Sequence, residues 1–467
     1  VLSVLRGSRE RLRHLWEQMR ASALFVPGLL ILGAAIMAFV LLAIDRDAER
    51  EVIDFIPWLF TGGPDGAQQV LSTIAGSMVT LAGVTFSIIT VALSLASQQF
   101  GPRLLRNFAT DVINQAMLGA FIASFVYCLL VLREVRALDD DTFVPYLSVT
   151  AGVLIALATL VLFVYFIHHV IDSIQGSSII ARSAHEAMAT IDSLFPEPAG
   201  VPADSEGDGQ RQAELPEIAE AAVLRAHRSG YIQAINSEKL IRTARSADVI
   251  FRMELPVGAF VAEGTPLLTV GPETRVDDDL SDAALDTVSI GRHRSMPLDP
   301  EFGVRQLVDI AVRALSPGVN DPTTAVYCID YLAAILVHLA HRTIPTNLRL
   351  DDDGDLRLIA AGTTFEGMAD LAFNQIRQYS KTDVATTFRM LEMIGTVGRE
   401  TRTDHQRHVL DRHLRKIARG ADEGITDPAD RLEFNERLIE AAGKIGRPET
   451  AERYRLSSRT GAKGATG

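Results

Sequence analysis

The sequence predicts a membrane α-helical protein: four transmembrane helices, then a cytoplasmic α+β region made of a small β domain and a mostly helical domain. Three observations carry this. Four long apolar runs, at 23–44, 73–97, 115–132 and 145–170, precede the rest of the 467-residue chain, and about 20 apolar residues cross a bilayer core. The remainder alternates first with a period of two and then with helical periodicity. The charge of the segments between the apolar runs changes sign along the chain.

The first run is too long, and too poorly followed by small residues, for a signal peptide, so it reads as a retained helix. Ahead of it lie Arg6, Arg9, Arg11, Arg13 and Arg20. The loop after it holds Asp45, Asp47, Glu49, Glu51, Asp54 and Asp65 against Arg46 and Arg50. Arg103 and Arg106 follow the second run, and Asp139, Asp140 and Asp141 lie in the next loop. Basic loops face the cytoplasm. Both termini are therefore expected inside, in a bacterial inner membrane. The segments are a cytoplasmic 1–22, a transmembrane domain over 23–172, a helix and acidic linker over 173–217, a β-rich domain over 218–290, a helical domain over 291–445 and a disordered tail over 446–467. Residues 51–60 are too short to span and suit the outer interface, with Trp58 near the headgroups.

The second run carries a polar seam. Thr73, Gly76, Thr80, Gly83, Ser87, Thr90, Ser94 and Ser97 step alternately by three and four, which keeps them on one helix face. In lipid such a face meets protein or water. Two readings stand: close packing inside one protomer, or the lining of a wet path. In the second reading Arg103 and Arg106 stand at the cytoplasmic mouth and favour anions. None of the four runs has a central charged residue, which argues against a proton relay.

Beyond the spans, the fourth run is expected to continue as one helix to Phe195, where Pro196 and Pro198 stop it. GYIQAI and DVIFRMEL alternate as strands, with a short helix over NSEKLIRTARSA between them. Gly258 and Gly264 fall where tight turns belong. This stretch is similar to half of a biotinyl- or lipoyl-type barrel-sandwich domain. It lacks that family's lysine hairpin, because Lys239 sits in SEKL, so no covalent cofactor is expected. Asp353-Gly354 marks a hairpin, and its acidic cluster lacks the spacing of a calcium loop. Helices are expected at 364–379, 383–399, 403–419 and 428–444, the last opened by Asp427-Pro428. PTTAVYCIDYLAAILVHLAHR reads as a buried cytoplasmic helix, since Asp330, His338 and His341 make it polar for a fifth span.

The block LDPEFGVRQLVDIAVRALSPGVNDPTTAVYCIDYL at 298–332 is specific. With TFSIITVALSLASQQFGPRLLRNF at 85–108, SGYIQAI at 229–235 and FNQIRQYS at 373–380, it resembles the bacterial predicted-membrane-protein family called domain of unknown function 2254. The resemblance covers nearly the whole chain. It implies a bacterial inner-membrane protein with several N-terminal spans and implies no activity.

Within that block Arg305, Asp309 and Arg313 share one helix face. Asn320 or Asp321 caps the helix that Pro322 opens. Arg305, Arg313, Asn320, Thr323 and Thr324 are the candidates for an anion at that helix start; an ordinary capped corner explains the same residues. His405, His408 and His413 lie among Arg402, Arg407, Arg412, Arg415 and Lys416, which repel a cation, so a solvated basic helix is expected and no metal. His168 and His169 are read as interface residues at the inner end of the fourth span. The net charge of −13 argues against nucleic acid. Cys128 and Cys328 read as buried thiols. There is no Walker A sequence, G-x-S-x-G, HExxH or CxxC, so no enzyme is expected.

These residues point to a homo-oligomer in the lipid bilayer. It is either a weakly selective, anion-preferring pore lined by the second span, or a membrane-anchored sensor or scaffold that binds a small anion or a cytoplasmic protein.

Overall fold

A computed structural model describes residues 25–47, 60, 62–100, 111–138, 141–195, 220–294, 298–345 and 347–457. The chain divides into two compact units, 1–178 and 179–467.

The first unit holds α1 (Phe25–Asp47), α2 (Pro64–Phe100), α3 (Val112–Leu132) and α4 (Tyr146–Ile174). A short hairpin, β1 (Arg136–Leu138) and β2 (Asp141–Phe143), joins α3 to α4. Helix α3 is central and packs on α1, α2 and α4. Its approach to α1 is close because Gly119 has no side chain: a Cβ there would lie 2.8 Å from Pro27 Cα. Small residues allow such contact in lipid, where burial of apolar surface gives no drive between helices. Ser124 and Thr159 join α3 to α4, their hydroxyls 3.0 Å apart. The Tyr127 hydroxyl donates to the Ser148 carbonyl at 2.9 Å.

Helix α4 is capped from a distance. Pro145, its own N-cap residue, offers no side-chain acceptor. Asp45, at the end of α1, accepts from the Leu147 and Ser148 amides at 2.9 Å each and from the Ser148 hydroxyl. First-turn amides have no partner within their own helix, so this carboxylate does the work of a cap. At the other end, Asp111 caps α3 through the Ile113 and Asn114 amides, and His169 Nε2 stands 3.2 Å from it. The expected continuous helix after the fourth span is corrected here. Gln175 is extended (ψ 127°), and a new helix, α5 (Gly176–Leu194), begins beyond it. Gly and Ser at 176–178 are poor helix continuers.

In the second unit the strands are β3 (Ala222–Arg225), β4 (Gly230–Ile235), β5 (Ile250–Met253), β6 (Phe260–Val261), β7 (Pro266–Gly271) and β8 (Val288–Gly291). Helix α6 (Ser237–Ala247) lies between β4 and β5, and α7 (Asp278–Leu285) precedes β8. Asn236 caps α6, and Asp248 ends it in the left-handed conformation. The GYIQAI strand pairs with β6, Gly230 opposite Val261, as the expected pattern requires. Gly258 and Gly264 take φ of +87° and +78° at the turns, values glycine adopts without strain.

One pairing crosses the expected boundary between β and helical regions. The hairpin β9 (Leu348–Leu350) and β10 (Leu356–Ile359) forms around Gly354. Strand β10 then runs parallel to β5, giving the order β3-β7-β5-β10-β9 beside a second sheet, β6-β4-β8. The shared core includes Leu224, Ile232, Leu240, Phe251, Leu268 and Leu358. In the turn Asp351 accepts from the Asp353 and Asp355 amides and from Arg357, so its carboxylate is spent on the hairpin.

The helices are α8 (Pro300–Ala314), α9 (Pro322–Ala340), α10 (Phe365–Tyr379), α11 (Val384–Glu400), α12 (Asp404–Gly424), α13 (Pro428–Ile445) and α14 (Pro448–Tyr454). Each start from α8 to α13 has a side-chain cap: Asp299, Asp321, Thr364, Asp383, Thr403 and Asp427. Thr403 and Gln406 form a capping box. Helix α9 buries Cys328, Ile329, Leu332 and Leu336 against its neighbours, while Asp330 meets Arg389 at 2.6 Å. It is also long and apolar enough to cross a membrane, so five such helices exist among the described residues, against the four expected.

The tail expected to be disordered from 446 is ordered to Ser457. Arg431, 1 % exposed, donates to the carbonyls of Ile425 and Ser457 at 2.8 and 2.7 Å. Asn435 exchanges two hydrogen bonds with Leu456. A buried guanidinium needs these acceptors, and they hold the last turn in place.

Candidate functional site

Helix α2 is the candidate, and its two sides are unlike. Toward α3 and α4 it presents Ala67, Leu71, Ala75, Met78, Thr85 and Ala92, all buried. The seam lies on the outer side. Thr73, Gly76, Thr80, Gly83, Ser87, Thr90 and Ser94 are all exposed in the first unit. A Cβ on Gly76 or Gly83 would meet nothing within 4 Å. Among the described residues the two seam glycines take no part in packing this unit, and of the two off-seam hydroxyls within 73–97 Ser77 is exposed and Thr85 buried. Ser97 lies on α2, but its side chain is outside the described residues, as are Arg103 and Arg106.

The hydroxyls on this side are turned onto their own helix. Thr73 donates to the Gln69 carbonyl at 2.7 Å, Thr80 to Gly76 at 3.0 Å and Thr90 to Phe86 at 2.8 Å. Each donor proton is satisfied four residues back. What remains outward is oxygen lone pairs and, at two glycines, bare backbone. Val79, Val84, Phe86 and Val91 flank the seam and are also exposed. Such a surface accepts hydrogen bonds from water or a neighbouring helix and offers few.

The other candidate, the corner before α9, is closed by its own cap. Asp321 accepts from the Thr324 amide at 3.1 Å and from its hydroxyl at 2.6 Å, where an anion would sit. Asn320 is left-handed (φ +50°), and Thr323 is exposed. Arg305 donates to Gln375 at 2.8 Å. It lies eight residues before Arg313 on α8, roughly 12 Å along the axis. Arg313 is itself engaged. The structure does not bring these five residues to one point.

The basic helix of the histidines is α12, and the expectation of a solvated face is corrected in part. His413 is fully buried, and Arg412 and Lys416 face Asp370. Val409, Leu410, Leu414 and Ile417 signal this in the sequence, because position 413 falls inside their apolar face. No group of three or more His, Cys, Asp or Glu side chains suited to a metal occurs among the described residues. Asp45 gave no local signal, since its partners are about a hundred residues away.

A family model described as predicted membrane protein, DUF2254, matches residues 20–396. The chain belongs to that family. Relatives of this DUF2254 protein include the uncharacterized proteins Mb1321c of Mycobacterium bovis and Rv1290c of Mycobacterium tuberculosis. Each is 30 % identical over 399 residues, covering 84 % of this chain and 75 % of the relative. No solved structure matches.

Proposed function

We propose that this membrane protein assembles as a homo-oligomer in the inner membrane, around a weakly selective pore lined by α2. In this reading α1 to α4 are the spans, both termini are cytoplasmic, α9 belongs to the soluble region, and that region controls the path. The observation that carries it is the outward seam. A row of hydroxyls and glycines turned away from α3 and α4 on a membrane helix calls for a second surface or water. Hydroxyl lone pairs alone select weakly, so an anion preference rests on Arg103 and Arg106 at the inner mouth.

Single cysteines in a background without Cys128 and Cys328 test it. At positions 80, 87 and 94 they should react with a small charged thiol reagent; at 81, 88 and 95 they should not. Ser87→Leu should reduce ion flux in liposomes, and Arg103→Glu with Arg106→Glu should move selectivity toward cations. Inert seam cysteines together with no flux from the purified protein would sink the pore.

A second reading, a membrane-anchored sensor or scaffold, is favoured by the ordered ion-pair network of the soluble helices. It predicts no flux and a ligand-dependent change in hydrogen exchange confined to the second unit.

A further inference from the structure

The contact between α10 and α12 gathers buried nitrogens that lack hydrogen-bond partners among the described residues. They are Nε of Arg377, Nε of Arg412 and both ring nitrogens of His413. Buried polar atoms are nearly always satisfied, and a neutral imidazole has one N–H, so three of these nitrogens are donors that call for a missing acceptor. His413 is 0 % exposed and forms the floor, with Phe373 packed on its ring. Its Nε2 stands 3.1 Å from Asp370 Oδ1 but out of line for a hydrogen bond.

The charges around this floor do not balance. Asp370 Oδ1 already receives Arg412 at 2.9 Å, Asn374 at 3.1 Å and Lys416 at 3.4 Å. Glu366 takes the other arm of Arg412. Arg377 has no ion-pair partner among the described residues, yet its charge acts on the His413 ring. Three cations therefore face two carboxylates. Burial foremost, helped by Lys416, Arg412 and Arg377 against Asp370, pushes the His413 ring down to about 3, so it is neutral at ordinary pH. Arg412, Lys416 and Asp370 are each about a third exposed, which leaves the rim open to solvent.

We propose that this α10–α12 contact opens to bind a small oxyanion of the phosphate class, held by Lys416 at the rim and by Arg377 and the ring N–H of His413 beneath it. A phosphate supplies several acceptor oxygens to donors that now lack them and removes the excess positive charge. The site is independent of the seam and of the pore reading.

The test uses the full chain in detergent. Inorganic phosphate and, separately, a soluble short-chain phosphatidic acid are titrated by calorimetry, while the His413 ring is followed by nuclear magnetic resonance. Saturable binding of either is expected, with a rise in the pH at which the His413 ring titrates. Binding of phosphatidic acid alone would assign the site to a lipid headgroup. Arg377→Gln and Lys416→Gln should each weaken binding about tenfold or more, the loss expected for a hydrogen bond to a charged group. Arg399→Gln, on a different helix, should leave it unchanged. No saturable binding of either probe at millimolar concentration, or binding that Arg377→Gln leaves intact, overturns the proposal.

Discussion

In the second unit, charged side chains of neighbouring helices close on one another. Arg389 spans Asp330 and Glu392, Asp192 receives His338 and Arg342, and Arg431 collects carbonyls from the chain end. In the first unit α2 does the opposite, turning its hydroxyls and two glycines away from α3 and α4. On the proposed topology, with the second unit in water, the difference follows from solvent. In water an unpaired surface hydroxyl costs nothing, and helices associate by burying apolar faces. In lipid both faces are apolar by default, so a polar row is spent where something other than lipid meets it. Charged groups of the second unit thus find partners on neighbouring helices, whereas α2 of the first turns a polar row away from α3 and α4.

The sharpest way to break this contrast is at Arg431. Arg431→Ala leaves the carbonyls of Ile425 and Ser457 without their donor and should cost roughly 3 kcal/mol. Hydrogen exchange should then report opening of α13 and α14 while α2 to α4 stay protected. Next comes a pair of glycines in the membrane. Gly119→Leu drives a side chain into the Pro27 backbone and should destabilise the bundle by about 2 kcal/mol. Gly83→Leu, facing open space, should leave protomer stability within about 0.5 kcal/mol. Thermal unfolding in detergent separates the two, and equal losses would show that the seam packs within the protomer after all. Asp321→Ala removes one cap and should cost about 1 kcal/mol in urea titration.

The smallest effect is pH-dependent. His413 is depressed from 6.5 to about 3 in the folded chain, so below pH 6.5 the unfolded chain binds a proton that the folded one does not. Stability from this residue is therefore full at higher pH and lost as pH falls, by roughly 0.7 kcal/mol between pH 7 and pH 6. His413→Phe should flatten that part of the urea profile; an unchanged slope would mean the ring protonates in the folded state.

Legibility in the sequence tracked how local the cause was. The starts of α10 to α13 could be placed to within a residue because Thr364, Asp383, Thr403 and Asp427 cap them within four residues. The parallel pairing of β10 with β5 could not, since the partners are more than a hundred residues apart and nothing in either strand names the other. The break at Gln175 was hidden, although Gly176, Ser177 and Ser178 mark it, because helical periodicity resumes directly beyond. The seam was legible as a stripe, but its direction was set by which other face of α2 suits α3 and α4.

The carboxylate of Asp45 carries a consequence for biogenesis. It belongs to α1 and completes α4, whose own N-cap residue is a proline without an acceptor. The ribosome thus delivers the cap long before the amides that need it. Until α1 is in place, the leading turn of α4 has two backbone donors to bring to the membrane boundary unanswered. A chain lacking α1 should therefore insert α4 less completely, measured by its accessibility to added protease.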